Sequence, residues 1–178
     1  MPAAPLHPPC PGRILGLDVS LRCTGYGVVD PDGRGGFRAV DCGVIRTTAK
    51  HPLSECLRRL AGGIRELIDA YHPEVAAIEG GFFFKNARTA MVLGAARGVA
   101  IAWLAERDVP LYEYAPMRAK QAVCGFGNAS KEQVAQIVAT RLGLTAAQTA
   151  DDATDALAIA LCHGQAASGA ALRLAKRL

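Results

Sequence analysis

The chain has 178 residues, of which 51% are hydrophobic and 20% charged, a balance that predicts one folded domain and excludes general disorder. The formal net charge is +4, too small by itself to indicate a polyanionic partner. Six scattered cysteines without a C-x-x-C pair predict reduced thiols and exclude a zinc site or a disulfide framework.

The chain begins with a proline-rich stretch, residues 1–12, that has neither the basic nor the apolar region of a signal peptide. We expect it to be a flexible tail ahead of a single domain over residues 13–167. Residues 168–178 are basic, and we expect them to be mobile. No apolar run approaches the roughly 20 residues that cross a bilayer, so we predict a cytoplasmic protein without a membrane partner.

Apolar runs and turn signals predict five strands, of which the first three form an antiparallel meander. They lie at residues 13–18, 24–30, 37–46, 74–79 and 109–114. Apolar spacings of three and four residues, with a capping-box pattern at Ser130, predict the helices. They lie at residues 53–71, 87–106, 116–123, 130–142 and 149–165. The order predicts an α/β fold, a mixed five-stranded sheet flanked by helices on both faces.

Asp18 and Glu79 each end a short apolar strand. A carboxylate in such a place is costly to desolvate unless it meets a cation, a metal or strong donors. If the two strands are neighbours, both acids project at one end of the sheet. The alternative for Asp18 is that it caps the following turn.

The last helix opens with Asp151, Asp152 and Asp155. Asp152 and Asp155 are three residues apart and share one helix face. Favourable charge at a helix N-terminus explains one or two of these acids, but it explains Asp155 less well, because that residue lies beyond the first turn. The i, i+3 relation favours Asp152 over Asp151 as the partner of Asp155.

Four carboxylates gathered together repel one another unless cations neutralise them. Oxygen ligands favour Mg²⁺ or Mn²⁺, and two such ions can clamp the attacking and leaving oxygens of a phosphodiester. With four acids held in such a site, the rest of the chain carries an excess of eight positive charges, which suits a nucleic-acid substrate. The set therefore predicts phosphoryl hydrolysis.

The sequence resembles the RuvC family of bacterial Holliday-junction resolvases, which have an RNase H-like fold. The resemblance spans roughly residues 13–165. It rests on residues 14–18, 24–27, 77–79, Phe82, Lys85, Asn86, 93–101, 113–115, Lys120, 125–127, 131–134 and 152–160.

The resemblance implies that four acids bind two Mg²⁺ or Mn²⁺ ions and are catalytic: Asp18, Glu79, Asp152 and Asp155. It implies that Lys120 and Lys131 act near the scissile phosphate, where positive charge stabilises the transition state. It also implies DNA contacts from Phe82, Lys85 and Asn86, with Phe82 stacking on an unpaired base. Without the resemblance, a solvated surface residue is the preferred explanation of each lysine.

The resemblance further implies a homodimer acting on four-way junction DNA, a branch-migration motor of the RuvA–RuvB type as partner, and association with the nucleoid. Gly94, Gly98 and Ala102 recur every four residues in the helix at 87–106 and form a small-residue face. That face suits close approach of a second copy, or equally packing on the protein's own sheet.

Three other functions compete with a resolvase. The actin and sugar-kinase ATPases open with a similar strand and aspartate, but they need a second lobe that 178 residues do not supply. An RNase H-like nuclease acting on RNA–DNA hybrid shares the acids. A non-catalytic junction-binding protein would not need all four.

Overall fold

The structure is a computed structural model that describes residues 12–80, 86–145, 151–167 and 176–178. The N-terminal tail predicted over residues 1–12 lies outside this part except for Gly12, and most of the C-terminal tail, residues 168–175, also lies outside it. The described residues form six strands, β1 (Ile14–Asp18), β2 (Cys23–Pro31), β3 (Phe37–Arg46), β4 (Val75–Glu79), β5 (Leu111–Tyr114) and β6 (Lys176–Arg177). They also form five helices, α1 (Leu53–Tyr71), α2 (Ala87–Glu106), α3 (Pro116–Cys124), α4 (Lys131–Leu142) and α5 (Asp151–Ala167).

The strands form one mixed sheet in the order β3-β2-β1-β4-β5-β6. β1, β2 and β3 pair antiparallel as a meander, while β4 runs parallel to β1 and β5 parallel to β4. The predicted mixed sheet is confirmed, and the described residues add a short sixth strand to the predicted five. β6 has two residues, too few for any periodic pattern, and it pairs with β5 at the sheet edge.

Helices cover both faces of the sheet, as predicted. One face packs on α1 and α2 through a core that includes Leu15, Leu17 and Ile78. The other packs on α4 and α5 through a core that includes Ile14 and Leu157. Because side chains alternate along a strand, Asp18 and Glu79 fall on the α5 face.

Glycines let α5 lie unusually close to the sheet. A Cβ added to Gly16 of β1 would overlap the backbone carbonyl of Ala156, and one added to Gly25 of β2 would overlap that of Asp152. At Gly27 an added Cβ would lie 2.6 Å from the Leu157 side chain. The absence of three side chains therefore sets the height of α5 above β1 and β2.

The helix ends follow the local sequence. The Ser130 side chain accepts a hydrogen bond from the Gln133 backbone N–H, and the Gln133 side chain accepts one from the Ser130 backbone N–H, which confirms the predicted capping box of α4. Gly143 ends α4 with φ +66°, a conformation that glycine adopts without strain. This cap fixes the start of α4, and with it the position of Lys131.

Candidate active site

Asp18 and Glu79 lie side by side at the carboxyl ends of two adjacent parallel strands. β1 and β4 are in register from Ile14 opposite Val75 to Leu17 opposite Ile78, and each acid is the next residue. Both are half-buried. The sequence prediction that two strand-ending carboxylates meet at one edge of the sheet therefore agrees with the observed topology.

α5 brings the other two predicted acids to the same edge. Its first turn crosses β2 at Gly25, whose missing side chain leaves room for the Asp152 backbone. Asp152 and Asp155 are half-buried, whereas Asp151 is exposed. The charges of Asp152 and Asp155 act on Asp18, while the charge of Asp151 acts on Lys131. The placement therefore favours Asp152 over Asp151, as the i, i+3 spacing predicts.

The pKa values of the two acids that end β1 and β4 are raised by burial and by the neighbouring carboxylates. The pKa of Asp18 is raised to about 6, first by burial and then by the neighbouring carboxylates of Asp155 and Asp152. The pKa of Glu79 is raised to about 7, first by burial and then by Asp18 and Asp155. A cluster of this kind favours the binding of protons or cations.

Two lysines border the carboxylates. Lys131, the first residue of α4, places its Nζ 3.4 Å from Oδ2 of Asp155, and its side chain is otherwise largely exposed. Lys120 of α3 is half-buried and donates from Nζ to the carbonyl of Ala129 at 2.8 Å. The charges of both lysines lower the pKa of Glu79, against the larger effect of burial. Both predicted lysines therefore lie within electrostatic reach of the acids.

Of the three residues predicted to contact DNA, the structure describes only Asn86. Asn86 caps α2, because its Oδ1 accepts hydrogen bonds from the backbone N–H groups of Arg88 at 2.9 Å and Thr89 at 3.4 Å. Phe82 and Lys85 lie outside the described residues. A DNA contact by any of the three stays a prediction.

Three residues near the acids were not found by sequence reasoning. The Cys23 thiol donates a hydrogen bond to the Asp152 carboxylate, and the pKa of this thiol is raised, chiefly by burial. Arg97 of α2 donates to the backbone carbonyl of Glu79, and it also pairs with Glu113 of β5. Arg97 and Glu113 lie in the stretches 93–101 and 113–115 on which the resemblance rests, but their contacts join residues that are distant in the chain, so those stretches alone assign them no role.

The donor set fits a hard divalent cation. All four acids supply oxygen, as Mg²⁺ and Mn²⁺ prefer, and their mutual repulsion is relieved by positive charge. Within the described ranges, no three acidic, histidine or cysteine side chains already stand in a ligand arrangement. Lys131 pairs instead with Asp155 at 3.4 Å.

Comparison with known proteins identifies the family. The family model for the crossover junction endodeoxyribonuclease RuvC matches residues 14–163. This chain belongs to the RuvC family. The RuvC of Chloroflexus aggregans is 46% identical over 155 residues, covering 87% of this chain and 94% of that protein. The RuvC of a Roseiflexus species is 45% identical over 155 residues, covering 87% and 92%.

Solved structures agree with this assignment. The Thermus thermophilus RuvC in complex with a Holliday junction substrate superposes with a TM-score of 0.84 at 35% identity, covering 94% of this chain and 99% of that one. A yeast mitochondrial Holliday junction resolvase shares the fold, with a TM-score of 0.68 at 15% identity, covering 96% of this chain and 83% of that one. The resemblance to RuvC and the RNase H-like fold predicted from sequence are thereby confirmed.

Proposed function

We propose that this protein is a structure-specific DNA endonuclease that resolves four-way junctions by paired, symmetric, metal-dependent hydrolysis. The products are nicks with 5′-phosphate and 3′-hydroxyl ends, formed during recombination and repair in the cytoplasm, at the nucleoid. The observation that carries the proposal is the clustering of four carboxylates on one sheet edge in a chain of the RuvC family.

Asp18, Glu79, Asp152 and Asp155 would hold two Mg²⁺ or Mn²⁺ ions, and ions so bound supply an activated water and stabilise the departing 3′ oxygen. Lys120 and Lys131 border the acids with positive charge, so each can hold a phosphate oxygen and stabilise charge that develops on it. Asp155 holds Lys131 beside the site by the 3.4 Å ion pair. Phe82, Lys85 and Asn86 would contact the junction, with Phe82 stacking on an unpaired base.

The test is strand cleavage of a mobile synthetic four-way junction with Mg²⁺ and Mn²⁺ supplied separately. Linear duplex and RNA–DNA hybrid are the control substrates. We expect paired nicks at symmetric positions on the junction alone. Cleavage of the hybrid instead would show that the substrate is RNA–DNA hybrid rather than junction DNA. Junction binding without cleavage under either metal would contradict the enzyme assignment.

Metal binding has a signature in stability. The raised pKa values of Asp18 and Glu79 mean that the folded protein keeps protons at pH values where the unfolded chain has lost them. Their contribution to stability is therefore intact below about pH 4 and is lost as pH rises through about 7. We expect Mg²⁺ or Mn²⁺ to raise the melting temperature strongly near pH 8 and little near pH 5, where protons compete.

The measurement is a thermal melt with and without the metal at both pH values. Asp18→Asn removes one proposed metal ligand and one carboxyl group with a raised pKa. The difference between the variant and the wild type therefore reports the contribution of this site, apart from that of all other titrating groups. We expect the variant to lose most of the metal-induced shift at high pH. An equal shift in both proteins would place the cation elsewhere.

The homodimer is proposed to form through α2. Its inward side carries the buried residues Ala96, Ala100 and Leu104, whereas Gly94 and Gly98 are exposed, and an added Cβ at either glycine meets nothing within 4 Å. Packing of these glycines on the protein's own sheet is therefore excluded. A 2-fold dimer would carry two active sites to one junction.

Among the described helices, α2 has the length and composition of a membrane span, and one such helix is weak evidence for a membrane protein.

We expect Gly98→Glu to convert the dimer into a folded monomer, because a charge on the small-residue face opposes close helix packing while open space keeps the single chain undisturbed. Light scattering after size-exclusion chromatography gives the mass, and a thermal melt reports the fold. Gly62→Glu, on α1 and equally open, is the matched control and should remain dimeric. A dimeric Gly98→Glu protein would show that the interface lies on another surface.

A branch-migration motor of the RuvA–RuvB type is proposed as a further partner from family membership.

A further inference from the structure

The backbone around Glu79 is fixed from two sides. The Arg97 guanidinium donates to the Glu79 carbonyl, and the backbone N–H of Gly80 donates to the Tyr114 carbonyl at 2.9 Å. These two groups belong to the same peptide unit, so both ends of that unit are held. The dihedral angles that orient the Glu79 side chain are restrained accordingly.

Arg97 approaches from the sheet face opposite to the carboxylates. Glu113 stands opposite Ile78 on β5, and Ile78 belongs to the core beneath α1 and α2, so Glu113 points to that same face. There its Oε1 lies 3.6 Å from Nη2 of Arg97. Glu79, one residue later, points to the α5 face. Arg97 therefore reaches Glu79 through its backbone and leaves its carboxylate open to a ligand.

The pair is built into the fold. The side chains of Arg97 and Glu113 are 15% and 19% exposed, so removal of one leaves a largely desolvated charge on the other. A Cβ on Gly80 would overlap the Glu113 carboxylate, so the residue that follows Glu79 has to be glycine for Glu113 to take this position. Lys176 pairs with the other oxygen of Glu113 at 3.6 Å, but it is 73% exposed and contributes less.

We propose that Arg97, held by Glu113, is a positioning residue that fixes the peptide after Glu79 and thereby aims its carboxylate into the metal-binding edge formed with Asp18. This inference rests on the proposed function, since it assumes that Glu79 is a metal ligand. A guanidinium suits the role because its planar fork can serve the carbonyl and the carboxylate together, whereas a lysine ammonium is a compact point charge.

The experiment compares Arg97→Met with Arg107→Met. Arg97 lies in the middle of α2, and Arg107 is the residue that follows its last turn. Arg107 pairs with Asp69 at the surface and, among the described residues, does not contact Glu79. For Arg97→Met we expect junction turnover to fall about 10- to 100-fold, with junction affinity within about threefold of the wild type. We expect its Mn²⁺ affinity, measured by calorimetric titration without DNA, to fall about tenfold. Arg107→Met should match the wild type in every measurement.

Arg97→Lys and Glu79→Gln complete the design. Arg97→Lys should recover part of the Mn²⁺ affinity, and it decides the question if Arg97→Met does not fold. Wild-type turnover and Mn²⁺ affinity in Arg97→Met, or in Arg97→Lys where Arg97→Met does not fold, would overturn the inference, as would equal losses in Arg107→Met. If Glu79→Gln is inactive while the Arg97 variants are fully active, the positioning role of Arg97 is overturned but the proposed active site is not. If Glu79→Gln is fully active, the proposed active site itself is overturned.

Discussion

Asp18→Asn is expected to abolish cleavage of a four-way junction while binding persists. Asp18 ends β1 next to Glu79 and is acted on by Asp155 and Asp152, so it occupies the centre of the acidic cluster. An amide of the same shape keeps the packing but removes an anionic oxygen from the proposed metal ligands. Loss of several kcal/mol of transition-state stabilisation corresponds to a rate reduction of about 10³-fold or more.

Junction binding should be unchanged or slightly tighter, because the substitution removes a negative charge that faces the phosphates. Cleavage is measured in single-turnover assays and affinity by gel shift in the absence of divalent metal. Asp151→Asn is the matched control: it makes the same charge change beside Asp152, but its side chain is exposed and its charge acts on Lys131. Cleavage by Asp18→Asn near the wild-type rate would remove Asp18 from the reaction.

The fold was predictable because its signals are local. The strands that end on Asp18 and Glu79 are apolar runs bounded by turns, and the cap at Ser130 is a short motif, so each could be found without knowing the three-dimensional structure. The meeting of Asp18 with Glu79 was a conditional prediction: it required the two strands to be neighbours, and the parallel pairing of β1 with β4 satisfies that condition.

What escaped prediction depends on contacts between distant residues. Arg97 meets Glu79 eighteen positions away, and nothing in the local sequence of α2 distinguishes it from a surface arginine. β6 pairs with β5 through two residues, which no periodic pattern reveals. The four acids as a set predicted phosphoryl hydrolysis, but the proposed role of each acid and of both lysines came from the family resemblance. Spacing alone leaves another explanation for one or two of the acids in α5, which is favourable charge at a helix N-terminus.

Gly25 carries the second large effect, since it determines how closely α5 lies against the sheet. The Cβ that an alanine would add at this position overlaps the backbone carbonyl of Asp152, which cannot move aside as a flexible side chain can. We expect Gly25→Ala to lower the free energy of unfolding by about 3 kcal/mol, at the upper end of the usual cost of overpacking. Since a shift of about 1 Å in a catalytic group costs about 10²-fold in rate, cleavage should fall by at least that factor.

Two further alanines calibrate the result. Gly62→Ala in α1 meets nothing within 4 Å, so it should stabilise the protein by about 0.5–1 kcal/mol through the better helix propensity of alanine. The Cβ of Gly27→Ala would lie 2.6 Å from the movable Leu157 side chain and 2.9 Å from the Leu157 backbone nitrogen, less close than the backbone overlap at Gly25, so its effect should be intermediate. Urea denaturation gives the stabilities, and single-turnover cleavage at a temperature where every variant is folded gives the rates. A Gly25→Ala protein as stable and active as the wild type would show that α5 can shift without moving Asp152 from the site.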